Sequence, residues 1–159
     1  MLNFLEENNI KDMAGLEAKV KSMYENQFDL RDQLKPLERR LKTLEEHIQE
    51  ATVYMQHKAV YRQYQELKPN KQAAFVDKYR AEISLFESAE RYLKGAMNGK
   101  SALPIKAWRA KHGKLTAEKN RLNQEYASLK DEVYKVEQIR RSIYAIVREQ
   151  PQRTQPMRE

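Results

Sequence analysis

Leu16, Val20, Met23, Gln27, Leu30, Leu34, Leu37, Leu41, Leu44, Ile48, Ala51 and Met55 follow one another at alternating steps of four and three. Only Gln27 breaks this apolar seam, which at about 1.5 Å per residue extends for about 60 Å along a helix. A lone helix would leave such a stripe in water, so the seam demands a partner of similar length. One is present further along the chain. Trp108, Leu115, Leu122, Leu129, Val136 and Ile143 recur at seven-residue steps, flanked by Ile105, Tyr126, Val133 and Val147. The pattern predicts an all-α fold: a long antiparallel helical hairpin of coiled-coil type with a short helical segment at its tip.

Punctuation residues set the boundaries. Leu2, Phe4 and Leu5 suit a short helical run that Asn8-Asn9 interrupts, and Asp12 is placed to cap the first arm, 13–67. Pro36 removes one backbone hydrogen bond, but Leu34, Leu37 and Leu41 keep register across it, which predicts a kink and not a break. Lys68-Pro69-Asn70 stops the arm, with Asn70 as a candidate cap for the tip, 68–103. Residues 71–97 read as one helix or two short ones, ended by Asn98-Gly99. Pro104 opens the return arm, 104–148, and Gly113 stays in register within it. Together these make a single hairpin domain over 1–149. Residues 150–159, polar and proline-bearing, read as a disordered tail. Linkage through a tip of about 36 residues favours pairing within the chain; a homodimer of hairpins is the alternative.

The net charge of +7 is uneven: residues 1–50 balance to −3, 51–110 to +6 and 111–159 to +4. The positive excess therefore lies at the bend. The chain has no cysteine, which excludes disulfides and thiolate metal sites and agrees with a cytoplasmic protein. No apolar run approaches the roughly 20 residues of a membrane span, and the first residues lack the basic region and apolar run of a signal peptide.

Catalytic and metal-binding patterns do not emerge. His47, His57 and His112 include no pair at i and i+4 on one helix, so no metal site is expected. Carboxylates such as Glu45-Glu46 and Asp131-Glu132 fall on solvated faces, and no phosphate-binding glycine loop occurs. The chain is expected to be no enzyme and to need no cofactor. The bend instead interleaves Tyr54, Tyr61, Tyr64, Phe75, Tyr79, Phe86 and Tyr92 with basic residues. Among the latter, Lys58, Arg62, Lys68, Lys71, Lys78 and Arg80 are the candidate nucleic-acid contacts, since cations track phosphates while rings stack on bases. Spacing within Tyr61–Tyr64 and Tyr79–Ile83–Phe86 favours a second use for the rings, a small core closing the tip.

Val60-Tyr61-Arg62-Gln63-Tyr64, Tyr79-Arg80-Ala81-Glu82-Ile83, Phe86-Glu87-Ser88-Ala89-Glu90-Arg91-Tyr92-Leu93-Lys94 and Ala102-Leu103-Pro104-Ile105-Lys106-Ala107-Trp108 occur in an order that resembles the helical C-terminal region of MobA-like relaxases. These are the mobilisation nucleases of plasmids and conjugative transposons. The likeness spans most of residues 1–150. In that family a separate N-terminal domain nicks DNA with a tyrosine and a histidine-held metal. Neither that domain nor its His-rich motif is present, so no catalytic residue is carried over. The resemblance implies an excised C-terminal region or a standalone relative. Its role would be to contact transferred DNA, relaxosome proteins or the secretion machinery. The competing expectation is a structural coiled-coil spacer or protein-interaction hairpin that binds no nucleic acid.

Overall fold

The computed structural model describes residues 2–154, with side chains through residue 148. Five helices follow one another: α1 (Leu2–Glu7), α2 (Met13–Glu66), α3 (Pro69–Lys78), α4 (Arg80–Met97) and α5 (Ile105–Thr154). No strand occurs among the described residues. The expected hairpin is present, with α2 and α5 packed together.

The helix ends follow local chemistry. α1 closes in a Schellman motif: Ile10 N–H donates to the Leu5 carbonyl at 2.8 Å and Asn9 N–H to that of Glu6 at 3.1 Å. Asn9 takes the left-handed conformation, φ 53°, which asparagine tolerates better than most residues. Asp12 caps α2 as expected, its Oδ1 accepting from Gly15 N–H at 2.8 Å. Asn98 (φ 50°) and Gly99 (φ 83°) end α4 in left-handed backbone.

Two boundaries differ from expectation. Lys68, in extended backbone, is the residue that precedes α3, with Pro69 in its first turn. Asn70 therefore lies inside the helix and caps nothing, because a proline suits the first helical position and forces its predecessor out of helical geometry. No side chain caps the start of α3; Gln72 serves the preceding helix end, its Nε2 donating to the Tyr64 and Leu67 carbonyls, each at 3.3 Å. α5 continues to Thr154, past the expected end at Arg148, since a proline at 151 removes a single bond in the closing turns. The remainder of the expected tail, 155–159, lies outside the described residues.

Packing divides the described residues into two compact units, one made of the segments up to residue 36 and from residue 119 onward, the other of residues 37–118. In the first unit Leu16, Val20, Met23, Val133 and Val136 form the core, with Phe4, Leu5, Ile10, Met13, Leu129 and Ile143 packed around them. Polar clasps run along its flank. Glu17 accepts from Arg140 Nη1 at 3.1 Å and from the Tyr144 hydroxyl at 2.6 Å. Glu137 accepts from the Tyr24 hydroxyl at 3.1 Å. Gln27, the polar interruption of the seam, points its Nε2 at the Tyr126 hydroxyl, 3.4 Å away.

In the second unit Leu37, Leu41, Leu44 and Ala51 of α2 are buried together with Ile83, Phe86, Ala89 and Leu93 of α4 and Leu115 of α5. α4 doubles back antiparallel along α2: Phe86 stacks on Tyr61 and Tyr54, and Tyr92 reaches His47. That third helix explains where the α2 seam departs from its heptads. Met55 is 53% exposed, and Tyr54 takes the inward position because beyond Ala51 the neighbouring surface is α4.

Candidate nucleic-acid interface

Six of the seven bend aromatics are joined in a relay. Ring centroids lie 4.7 Å apart for Tyr54–Phe86, 4.3 Å for Phe86–Tyr61, 5.8 Å for Tyr61–Tyr64, 6.4 Å for Tyr64–Phe75 and 4.6 Å for Phe75–Tyr79. Phe86 is buried and the other five rings are half-buried. These rings stack on one another and close the tip, the second of the two uses anticipated from their spacing. Burial, then Glu87 and Glu90 of α4, hold the Tyr61 phenol above its ordinary pKa.

The six candidate cations are all exposed. Lys58 and Arg62 lie one turn apart on α2, and Lys58 Nζ sits 6.0 Å from the Tyr54 ring centroid. Lys68 and Lys71 open α3, where Lys71 N–H donates to the Lys68 carbonyl at 2.9 Å. Lys78 Nζ lies 5.3 Å over Tyr79. Arg80, at the start of α4, is paired with Asp77 at 3.0 Å. The other five make no ion pair among the described residues. The structure thus brings the candidates together in three local pairs, with Lys58 and Lys78 each set over a ring at opposite ends of the relay.

A second basic feature escaped the sequence reading. Between α2 and α5, within the second unit, an open groove of about 330 Å³ is lined by Arg39, Arg40, Thr43, His47, Trp108 and Lys111 above Leu44 and Leu115. The His47 and Trp108 rings are 5.0 Å apart, and His47 Nδ1 lies 2.8 Å from the Tyr92 hydroxyl. Burial, then Glu46 and Glu50, hold the Tyr92 phenol above its ordinary pKa. Next to the groove, His112 Nε2 meets Glu45 Oε1 at 3.1 Å. The Arg39-Arg40 pair was visible in the sequence. Its proximity to Trp108 was not, because heptads establish that two arms pair without fixing which turns meet.

Among the described residues, no group of three or more His, Asp or Glu side chains gathers to hold a metal ion, and no helix is long and apolar enough to cross a membrane. No protein-family model, curated protein or solved structure matches this chain.

Proposed function

We propose that this chain is a non-catalytic helical hairpin that contacts DNA phosphates through its bend, and that it serves as an accessory region in plasmid or transposon mobilisation. The supporting observation is that Lys58, Arg62, Lys68, Lys71 and Lys78 are exposed and free of ion pairs among the described residues. Cations not neutralised by the protein itself are available to replace the counterions of a nucleic-acid backbone. Because the bend rings are engaged with one another, contact there is through charge, with little base readout. The mobilisation role, with relaxosome or secretion proteins as further partners, rests on the segment likeness to MobA-like relaxases alone.

A structural or protein-interaction hairpin is the second reading, and the aromatic relay favours it. Six rings that bury one another need no ligand to justify their presence.

Fluorescence anisotropy with a labelled single-stranded oligonucleotide and its duplex, at low and physiological salt, separates the two. Phosphate contact predicts binding that weakens with salt. Replacing Lys68, Lys71, Lys78 and Arg80 with alanine should then flatten the log–log salt dependence by about 0.7 for each single-strand phosphate that the protein no longer neutralises. Absence of binding at low salt would overturn the DNA reading and leave a hairpin whose partner is protein.

A further inference from the structure

We infer that the groove between α2 and α5 seats one nucleotide unit of a single strand, phosphate on Arg39, Arg40 and Lys111 and base against Trp108. The inference rests on the nucleic-acid reading for the class of ligand, but on different residues: none of the groove's side chains is among the six candidate contacts of the bend or in its aromatic relay.

Three observations support it. First, Arg39, Arg40 and Lys111 contribute three positive charges to one concavity, and none forms an ion pair among the described residues. Glu45, which follows the groove residue Leu44 on α2, is engaged by His112. Two of these cations are arginines, whose planar forks match phosphate oxygens in pairs. Second, Trp108 is half-buried and lines the same concavity. It is outside the aromatic relay, and among the described residues its one ring neighbour is His47. An indole beside cations offers a π-face for a base within reach of groups for its phosphate, the combination by which single-strand sites work. Third, the groove is open and shallow. A duplex hides its base faces in the stack, whereas an unpaired base can turn onto a ring that lines an open groove.

Trp108 is the sole tryptophan of the chain, so its emission reports this groove and nothing else. The test titrates the full chain with an oligothymidylate of about twelve nucleotides, within the range of single-strand site sizes, and follows both Trp108 emission and anisotropy of the labelled strand. Inorganic phosphate at matched ionic strength is a parallel arm. The expected result is saturable quenching by the strand, little change with phosphate, and an apparent affinity at least about tenfold weaker in R39A/R40A. Lys111→Ala, on the other arm, should weaken it in the same direction. These positions are exposed, and far-UV circular dichroism checks that the helices persist.

The bend variant should keep the Trp108 response while losing affinity overall. If the strand binds with Trp108 emission unchanged, or quenches R39A/R40A as it does the parent chain, the groove assignment is wrong and the bend reading stands. Quenching by phosphate equal to that by the strand would reduce the groove to an anion site and overturn the base-stacking half. No binding of any strand would overturn both.

Discussion

At the scale of single residues, glycines show how the same atom count has opposite effects in different places. A Cβ added at Gly113 meets nothing within 4 Å, in the middle of a long helix. Gly113→Ala should therefore raise stability by about 1 kcal/mol, measured by urea unfolding. At Gly15 the added carbon would lie 3.2 Å from Asp12 Oδ1, the cap acceptor. There the gain in helix propensity is offset by pressure on the cap, and Gly15→Ala should give no comparable increase. Asp12→Ala, which leaves that end of α2 without its side-chain acceptor, should cost about 1 kcal/mol. Titration offers another residue-level check. Tyr61 and Tyr92 have phenol pKa values raised in the folded state, chiefly by burial. A raised value means stability that is intact below the unfolded pKa of about 10 and is lost as pH climbs toward the folded value. Thermal unfolding midpoints should fall above about pH 10, and Tyr61→Phe should soften that fall without removing it.

Among the elements, α2 is the one in which sequence and structure can be compared turn by turn. From Leu16 to Ala51 the heptad seam and the buried face agree, with Gln27, Leu30 and Ile48 half-buried in place. This much is legible because a seven-residue repeat states both the helix and its need for a partner. The agreement ends at Met55, where the partner changes from one helix to another, a fact of tertiary packing that no local pattern carries. The break at Tyr79 is similarly silent: φ −117° and ψ 28° separate α3 from α4 with neither glycine nor proline to announce them. The candidate cations were legible as types, and their exposure follows from that. Their local pairing at 58/62, 68/71 and 78/80 follows from sequence spacing, but the groove of Arg39, Arg40 and Lys111 was not legible, since it depends on which face α5 turns toward α2. Pro36 tests the element directly. It is exposed, lies within α2 and coincides with the division between the two compact units. A proline in a helix interior costs about 3 kcal/mol, of which up to about 1 kcal/mol is recovered by restricting the unfolded chain. Pro36→Ala should therefore stabilise the protein by about 2 kcal/mol in urea unfolding.

For the whole molecule, the governing fact is that no polar or charged residue among those described is buried. Among the described residues, the sequence-distant polar contacts run along the flanks of the packed helices, apart from that of Gln27, which sits in the seam. Leu16, 1% exposed, and Val136, also 1%, are the most completely enclosed large side chains. Leu16→Ala should cost about 2–5 kcal/mol by the same urea measurement. Glu17→Ala removes the acceptor of Tyr144 and one of the two carboxylates that Arg140 meets, Glu137 being the other, so its cost in urea unfolding should be small beside that of Leu16→Ala, these groups being solvated and screened. The small energy of such clasps understates what they decide. Leucines recur at Leu34, Leu37, Leu41 and Leu44 on one arm and at Leu115, Leu122 and Leu129 on the other. If one arm slid by a single heptad, many of these would find another leucine's seat, so the apolar surface tells one alignment from the next only weakly. Glu17 with Arg140, Gln27 with Tyr126 and Glu45 with His112 match at one alignment alone. They act as index marks on a vernier: weak in grip, they tell the two scales where to stop.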